Sequence, residues 1–241
     1  MNLILLFDAD FISSSRVRLT GRRLEHMRDI LKVRQGQSLT VGLVNGLVGT
    51  ARLVHQEPDA VELEVNCDQK PPGALPLTLI LALPRPPMLK RILFSAAMLG
   101  VKEIIILNFN RVEKSLWNSS ALKPQAITEQ LVLGLEQSKD TVMPEVILKK
   151  GFKPFVEDEL PSLIKGKLAL VAHPNKEPVQ HPVLRNSTPG VGPVVLVIGP
   201  EGGISDYEIE LLKSAGCQPI DLGPRILRTE SVLPYVVGKL F

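Results

Sequence analysis

Short apolar runs that alternate with helix-length segments constrain most of this chain. The helical segments include Pro87 to Gly100, where proline suits a first turn and glycine a C-terminal cap, and later segments near Pro124 to Lys139 and Phe155 to Ile164. Continuous apolar strands need cover on both faces, which is typical of parallel sheets with helical crossovers. The pattern predicts an α/β fold with a mainly parallel sheet and helices on both faces. The predicted strands are Leu77–Leu81, Ile104–Leu107, Glu145–Leu148, Lys167–Ala172 and Val194–Ile198.

The N-terminal part has a different pattern. Ser38–Val41 and Thr50–Val54 flank the dipeptide Asn45-Gly46, a strong turn signal between antiparallel strands. A third run, Ala60–Val65, alternates apolar with acidic residues, so one of its faces should meet water. These features predict a small β-rich unit.

A proline-rich segment, Lys70–Gly73, interrupts both patterns, because proline fixes φ and lacks a backbone donor. The chain has 241 residues, 44% of them hydrophobic, which is enough to bury a real core in one large domain or two smaller ones. We therefore expect two domains, residues 1–70 and 75–241. The stretch from Pro174 to Pro193, rich in proline, asparagine and glycine, is interpreted as a flexible loop.

Several classes of protein are disfavoured by composition. No apolar run approaches the roughly 20 residues that span a bilayer, and the N-terminal run Leu3–Phe7 has no basic leader. Cys67 and Cys217 are far apart and match no metal-ligand spacing, which fits a reducing compartment. The sequence predicts a soluble cytoplasmic protein with no membrane partner and no metal.

Basic residues concentrate between Arg16 and Arg34, where only Glu25 and Asp29 are acidic, although the net charge of the chain is only +3. A cluster of this kind can bind a polyanion. It can equally be the solvated face of a surface helix, and the residues alone leave both interpretations open. The basic residues are Arg16, Arg18, Arg22, Arg23, Arg28, Lys32 and Arg34.

A glycine-rich loop, Gly199–Gly203, follows what counts as the fifth strand of the second domain. Ser205 is a good helix N-cap, and Glu208 three residues later completes a capping box. Glycines let the backbone approach a ligand closely, although an isolated Gly-Gly more often makes a tight turn. The loop lacks the lysine of a P-loop and the glycine spacing of a Rossmann fingerprint, and a Rossmann loop would follow the first strand.

A second strand-loop-helix element, Asp221–Ser231, comes soon after the first. Leu222, Ile226 and Leu227 could cover an adenine ring while the loop backbone hydrogen-bonds its nitrogens. Arg228 and Glu230 add polar groups, although an ion pair on the protein surface is an equally ordinary role for Arg228. Two such loops in succession can face one ligand.

Together these two loops closely resemble the RsmE family of SPOUT-class RNA methyltransferases. The resemblance lies in Ile198–Ser205 followed by Leu222–Glu230. It extends over nearly the whole chain, because His26–Gly36 is similar to the family's PUA-like RNA-binding signature. Leu99–Val101 and Glu136-Gln137 fit its middle section.

This resemblance implies a trefoil-knotted S-adenosylmethionine-dependent methyltransferase domain, a PUA-like β-barrel and a homodimer. It also implies methylation of N3 of a uridine in 16S rRNA, free or in the small-subunit particle. Three sets of candidate residues follow, the first from the resemblance and the other two from the resemblance together with the residue chemistry described above. Those for the cofactor are His173, Gly199, Glu201, Gly202, Leu222, Gly223, Leu227, Arg228 and Thr229. Those for catalysis are Arg228, Glu230 and Arg111, which would stabilise the uracil anion, anchor phosphate, orient an arginine or accept a proton. Those for RNA binding are Arg22, Arg23, His26, Arg28, Lys32 and Arg34.

The chain also departs from the family's pattern, mainly where RNA would bind. Pro84–Pro87 replaces a lysine and a glycine, Ser95 and Met98 replace a lysine and an acidic residue, Asn110 replaces an acidic residue, and Asp140 lies at or near a usual arginine. Pro234 lies where the family continues a helix, and we expect it in the first turn, where proline is tolerated. Lost basic groups would weaken phosphate contacts. Three alternatives remain open. The chain could act on another RNA, serve as a non-catalytic ribosome-assembly factor, or be a nucleotide-binding α/β enzyme of another class.

Overall fold

The structure of the chain, a computed structural model, describes residues 2–174 and 192–241. Most of the predicted loop from Pro174 to Pro193 lies outside these residues. The chain forms two compact units, Met1–Gly73 with Val132–Met143, and Ala74–Leu131 with Pro144–Phe241. The sequence does not predict that Val132–Met143 belongs with the N-terminal unit.

The first unit is built on one sheet of six strands in the order β1-β4-β5-β6-β3-β2. Strand β1 pairs with β4 in parallel and the other neighbours are antiparallel. The predicted strands are confirmed as β4 to β6, and Asn45 in the turn has a φ of 57°. Strands β1 to β3 were not predicted. The six strands are β1 (Ile4–Leu6), β2 (Phe11–Ser13), β3 (Arg16–Leu19), β4 (Ser38–Leu43), β5 (Val48–Gln56) and β6 (Val61–Gln69).

A short helix, α1 (Gly21–Glu25), continues into a π-helical turn, His26–Ile30. Leu24 and Met27 from this segment pack into the apolar core of the sheet, which explains why only part of the basic stretch is exposed.

Glu136 anchors the segment Val132–Met143 in the first unit. Its carbonyl oxygen accepts the N–H groups of Asn2 and Leu3, and its Oε1 accepts the N–H of Leu5 at 3.3 Å. Arg22 lies 2.8 Å from its Oε2. The buried carboxylate at Glu136 is therefore used to fix the N-terminal strand.

The second unit contains a six-stranded, wholly parallel sheet in the order β12-β10-β11-β7-β8-β9. This confirms the α/β class and the parallel sheet, and β11 is the fifth strand of the unit, as predicted. Every residue of β7 and β11 is buried. The strands are β7 (Leu77–Ala82), β8 (Glu103–Leu107), β9 (Glu145–Lys149), β10 (Leu168–Ala172), β11 (Val194–Ile198) and β12 (Gln218–Ile220).

The helices begin and end close to the predicted positions. Helix α2 (Pro86–Met98) has proline in its first turn, and Gly100 just beyond it has a φ of 86°. The remaining helices are α3 (Pro124–Ser138), α4 (Phe152–Pro154), α5 (Leu160–Leu163), α6 (Asp206–Ser214) and α7 (Thr229–Leu240), with 3₁₀ turns at Lys114–Asn118 and Ser120–Leu122 and a π-helical turn at Phe155–Glu159.

The expected position of Pro234 is wrong. The residue lies inside α7 rather than in its first turn, because the helix already begins at Thr229. Proline there removes the donor that would pair with the carbonyl of Glu230 four residues earlier.

The order of the parallel strands positions a site. From β7 the chain steps outward to β8 and β9, then returns on the other side, where β11 inserts between β7 and β10. In open α/β sheets, ligands bind outside the carboxyl ends of the strands where the order reverses. The loops that follow β7, β10, β11 and β12 meet at this edge.

Candidate functional site

A cavity of about 1070 Å³ opens at this edge of the sheet. Its walls come from the end of β10, the two glycine-containing loops, the first turn of α7, the start of α2 and Arg111. The candidate cofactor residues in the wall are His173, Gly199, Glu201, Leu222, Gly223, Leu227, Arg228 and Thr229, and all three candidate catalytic residues, Arg111, Arg228 and Glu230, are there too. Gly202 is not in the wall, but its carbonyl oxygen accepts a hydrogen bond from Arg111 Nη1 at 2.7 Å.

The first loop needs glycine for two separate reasons. Gly203 has a φ of 79°, in the left-handed region that side chains disfavour. A Cβ atom on Gly199 would lie 2.5 Å from Cγ1 of Ile204, so the chain turns there only because that atom is missing. This loop therefore makes a tight turn and at the same time leaves its backbone accessible to a ligand in the cavity.

The predicted capping box at the start of α6 is present. Ser205 Oγ accepts the N–H of Glu208 at 3.4 Å, and Glu208 Oε2 accepts the N–H of Ser205 at 3.0 Å and its Oγ–H at 2.7 Å. The other oxygen of Glu208 accepts the N–H of Asn110 at 2.6 Å. This buried carboxylate joins the glycine-rich loop to the segment that carries Arg111. Asn110 departs from the family's pattern in its side chain, but the hydrogen bond to Glu208 is unaffected because the backbone N–H of Asn110 donates it.

Arg85 is a cavity residue that the sequence reasoning missed. Its backbone N–H donates to Glu201 Oε1 at 3.2 Å, and its guanidinium lies 3.3 Å from Glu113. The sequence does contain an indication of this role, because an arginine that follows an apolar strand and precedes two prolines places a basic side chain at the end of that strand. Met88, Arg225 and Val232 also line the cavity and were not predicted.

The second loop turns sharply at Gly223, where φ is 112°, and Asp221 Oδ1 accepts the N–H of Gly223 at 2.6 Å. Leu222, Ile226 and Leu227 all line the cavity. Ile226 is 89% exposed. An apolar side chain so exposed at a cavity rim is well placed to cover a flat apolar ligand.

His173 lies where β10 ends, and its backbone N–H donates to the carbonyl of Ile220 at 3.1 Å. Burial lowers the pKa of its imidazole, while the nearby Asp206 opposes that shift. The ring therefore favours the neutral form, which can both donate and accept hydrogen bonds in the cavity.

Glu230 projects from the first turn of α7 and pairs with Arg91 of α2, Oε1 to Nη1, at 3.5 Å. Of the departures from the family's pattern, Ser95 lies one turn beyond Arg91 on the same helix. Met98 is half-buried at the end of α2 and is not in the cavity wall. The ion pair with Arg91 therefore places Glu230 where it can orient an arginine side chain.

The basic stretch divides into engaged and exposed residues. Arg23 makes a bidentate ion pair with Asp10, with both N···O distances 2.6 Å, and its guanidinium lies over the Phe7 ring. Arg28 pairs with Asp29 at 2.8 Å. Within the part of the chain that the structure describes, the exposed side chains of Lys32 and Arg34 make no ion pair.

The remaining predicted residues of this stretch lie in different places. Arg22 is bound to Glu136 as described above, His26 is half-buried in the π-helical turn, and Arg16 and Arg18 lie on β3 rather than on a helix. The interpretation of the whole stretch as one face of a surface helix is wrong, because it combines a strand, a helical segment and a loop. Contact with RNA stays a prediction for all six candidates.

Membrane-spanning helices and metal-binding clusters are both absent from the described residues. No helix among residues 2–174 and 192–241 is long and apolar enough to cross a membrane. No group of three His, Cys, Asp or Glu side chains in those same residues could hold a metal ion.

Comparison with known proteins gives consistent matches. A family model described as an RNA methyltransferase domain matches residues 71–240. A ribosomal RNA small subunit methyltransferase E of Treponema pallidum is 26% identical over 236 residues, 96% of this chain and 87% of that protein. Its namesake from Synechocystis is 28% identical over 230 residues, 95% of this chain and 74% of that protein.

Among solved structures, one is a ribosomal RNA small subunit methyltransferase E from Neisseria gonorrhoeae bound to S-adenosyl methionine. It is 26% identical, superposes with a TM-score of 0.74, and the match covers 99% of this chain and 95% of that one.

Proposed function

The chain belongs to the RNA methyltransferase family, and on that premise we propose that it uses S-adenosylmethionine to methylate N3 of a uridine in 16S rRNA. One observation carries the proposal. The two loops singled out in the sequence line a single cavity together with His173 and three candidate catalytic residues. The names of the relatives support the small-subunit rRNA, and the S-adenosyl methionine bound by one of them supports the methyl donor.

The cavity suits the cofactor. Its volume of about 1070 Å³ exceeds what a single nucleoside-sized ligand needs, which leaves room for an acceptor base. Leu222, Ile226 and Leu227 would cover the adenine, and the backbone beside Gly199 and Gly223 would bind its polar edges. Thr229, Glu201 and His173 add polar side chains for the remainder of the molecule.

When bound, S-adenosylmethionine supplies an electrophilic methyl group on a positively charged sulfur. The residues of the chain have to hold the acceptor in line with that group and exclude water. They also have to stabilise the uracil anion, since N3 must lose a proton before it can attack.

Arg228 and Arg111 are the residues that we assign to this anion. Arg111 is held by the Gly202 carbonyl, so its charge is fixed beside the loop. Arg228 is the N-cap residue of α7 and is exposed, which leaves its guanidinium available for the base or its phosphate. Glu230 orients Arg91 and, as a carboxylate in the cavity wall, is also the candidate to accept the N3 proton.

RNA binding and assembly complete the proposal. Residues 1–70 form the RNA-binding domain and residues 75–241 the methyltransferase domain, except for Val132–Met143, which belongs to the first unit. The six-stranded sheet of the first unit closes into a PUA-like barrel, and the exposed Lys32 and Arg34 contact phosphates alongside Arg22, Arg23, His26 and Arg28. The second unit forms a trefoil knot, and two copies form a homodimer that acts on rRNA or on the assembled small-subunit particle in the cytoplasm.

The test is incubation of the purified protein with labelled S-adenosylmethionine and either small-subunit particles or naked 16S rRNA from cells lacking the gene. We expect label in one uridine, with N3 identified by mass spectrometry of the nucleosides. Binding of S-adenosylhomocysteine by calorimetry without label in either RNA would overturn the proposal and favour a non-catalytic assembly factor. Label at another site or in another RNA would replace the substrate.

A variant pair tests the catalytic assignment. Removal of a donor that stabilises developing charge typically lowers kcat by about a hundredfold or more. We expect that loss for Arg228→Ala, with wild-type activity for Lys165→Ala, an exposed residue outside the cavity. Equal activity of the two variants would remove Arg228 from catalysis.

A further inference from the structure

A second cavity of about 350 Å³ lies beside the first and shares Glu230 with it. It is formed by one face of α2, one residue of α3 and the first turn of α7. Its lining residues are Lys90, Arg91, Phe94, Ser95, Gln130 and Glu230. Because the two cavities share the wall residue Glu230, a ligand group in the second cavity lies next to one bound in the first.

The α2 residues of this cavity lie on neighbouring turns. Lys90 and Phe94, and likewise Arg91 and Ser95, are four residues apart, the spacing that places side chains side by side on a helix. Two cations thus precede an aromatic ring and a hydroxyl along one face of α2.

The side chains here are arranged to bind a ligand rather than each other. Arg91 is held at one nitrogen by Glu230, whose side chain is 16% exposed, while its own is 63% exposed, so further donors face the solvent. In the described part of the chain, no hydrogen bond or ion pair engages the side chains of Lys90, Ser95 or Gln130. The cavity therefore offers cations, an aromatic ring, a hydroxyl and an amide at once.

We propose that this second cavity binds the nucleotide adjacent to the target uridine in single-stranded RNA. Lys90 and Arg91 bind its phosphate, Phe94 stacks on its base, and Ser95 and Gln130 hydrogen-bond the base edge. This combination of a cationic pair with an aromatic ring is how proteins hold single-stranded nucleic acid. The inference rests on the proposed function, because it takes RNA as the substrate.

This face of α2 carries a cation although position 95 is a serine. The resemblance expects a lysine there, and Arg91 supplies a cation one helical turn earlier on the same face. Glu230 holds this charge of Arg91 beside the first cavity.

The first experiment measures binding without requiring methyl transfer. A uridine-centred RNA trinucleotide is titrated into the protein saturated with S-adenosylhomocysteine, at several salt concentrations. Loss of one phosphate contact should reduce the slope of log affinity against log salt by about 0.7 in Lys90→Ala. Loss of base stacking should weaken binding about tenfold in Phe94→Leu, which keeps an apolar side chain in α2. Lys165→Ala is the matched lysine control and should behave as wild type.

The second experiment separates this inference from the proposed function. In methylation assays on the rRNA substrate, Lys90→Ala and Gln130→Ala should raise KM several-fold with kcat and S-adenosylhomocysteine affinity unchanged. If Lys90→Ala and Phe94→Leu had the same trinucleotide affinities and salt slopes as Lys165→Ala, the subsite would be overturned, even if the wild type methylates RNA. Trinucleotide binding that depends on Lys90 and Phe94 would support the subsite, even if the wild type methylates no RNA and the proposed function fails.

Discussion

Replacing Glu208 with glutamine tests how the glycine-rich loop is held. The buried carboxylate accepts three hydrogen bonds, from the Asn110 N–H at 2.6 Å, the Ser205 N–H at 3.0 Å and the Ser205 hydroxyl at 2.7 Å. Glutamine keeps the size of the side chain but has one acceptor oxygen, so its NH₂ group must face at least one of the backbone donors. The substitution therefore removes an acceptor without opening a cavity.

The magnitude follows from those bonds. The retained bond changes from a charged to a neutral acceptor, which costs about 1 kcal/mol, and a buried N–H left without an acceptor costs about 1–3 kcal/mol. The free energy of unfolding should fall by about 2–4 kcal/mol. In a chain of this size each kcal/mol lowers Tm by roughly 2–4 °C, so we expect a fall of about 4–16 °C.

A loss of cofactor binding should accompany the loss of stability. Asn110 precedes Arg111, whose guanidinium donates to the carbonyl of Gly202, so loosening Glu208 loosens that contact as well. We expect S-adenosylhomocysteine affinity to fall several-fold in calorimetry. The matched control is Glu210→Gln on the same helix, where the carboxylate is exposed and, among the described residues, pairs with Lys213 alone at 2.8 Å.

The control should lower Tm by less than about 2 °C, because exposed ion pairs contribute little. Differential scanning calorimetry of both variants at neutral pH measures the difference. If Glu208→Gln melted within about 1 °C of Glu210→Gln and bound S-adenosylhomocysteine as tightly, the reasoning that this carboxylate joins the two segments would be refuted.

Three further outcomes are expected. Because burial lowers the pKa of His173, the unfolded chain binds more protons than the folded chain below about pH 6.5, so the free energy of unfolding should fall as the pH drops through that value. Melting curves from pH 5 to 8 should show a smaller fall in Tm with decreasing pH for His173→Asn than for the wild type. Parallel dependences of Tm on pH would contradict this. Gly199→Ala forces its new methyl against a neighbouring isoleucine and should weaken S-adenosylhomocysteine binding at least tenfold, whereas Gly73→Ala, whose new methyl meets no described atom within 4 Å, should bind normally; equal affinities would show that the loop shifts to accept the methyl without loss of binding. Arg23→Ala should lower Tm as well as RNA affinity, because its ion pair with Asp10 is largely buried, while Arg34→Ala should lower only RNA affinity and its salt slope; a fall in Tm for Arg34→Ala but not for Arg23→Ala would contradict this.

Local features of the fold were readable from the sequence because their causes lie within a few residues. The apolar runs gave the parallel strands, since full burial on both faces leaves no polar alternation. Helix α2 was predicted from Pro87 and Gly100, one residue from its observed start at Pro86, because both residue types act through backbone preferences that need no tertiary partner. The capping box of Ser205 and Glu208 is equally local, and so was found.

Other features depend on residues far apart in the chain. Strands β1 to β3 are three or four residues long and are stabilised by pairing, so their own sequences carried little signal. The bond from Glu208 to Asn110 and the pair of Arg23 with Asp10 likewise required the folded chain. The basic stretch was interpreted as one surface, but some of its side chains form ion pairs within the protein.

The sequence by itself determined that two glycine-containing loops follow apolar strands, because strand, turn and helix start are set by neighbouring residues. Only the tertiary structure decided that these loops line one cavity, since that depends on β11 inserting between β7 and β10. It also decided that Arg85 reaches that cavity and that Arg91 of α2 meets Glu230 of α7. Those contacts join distant segments, and no local pattern encodes them.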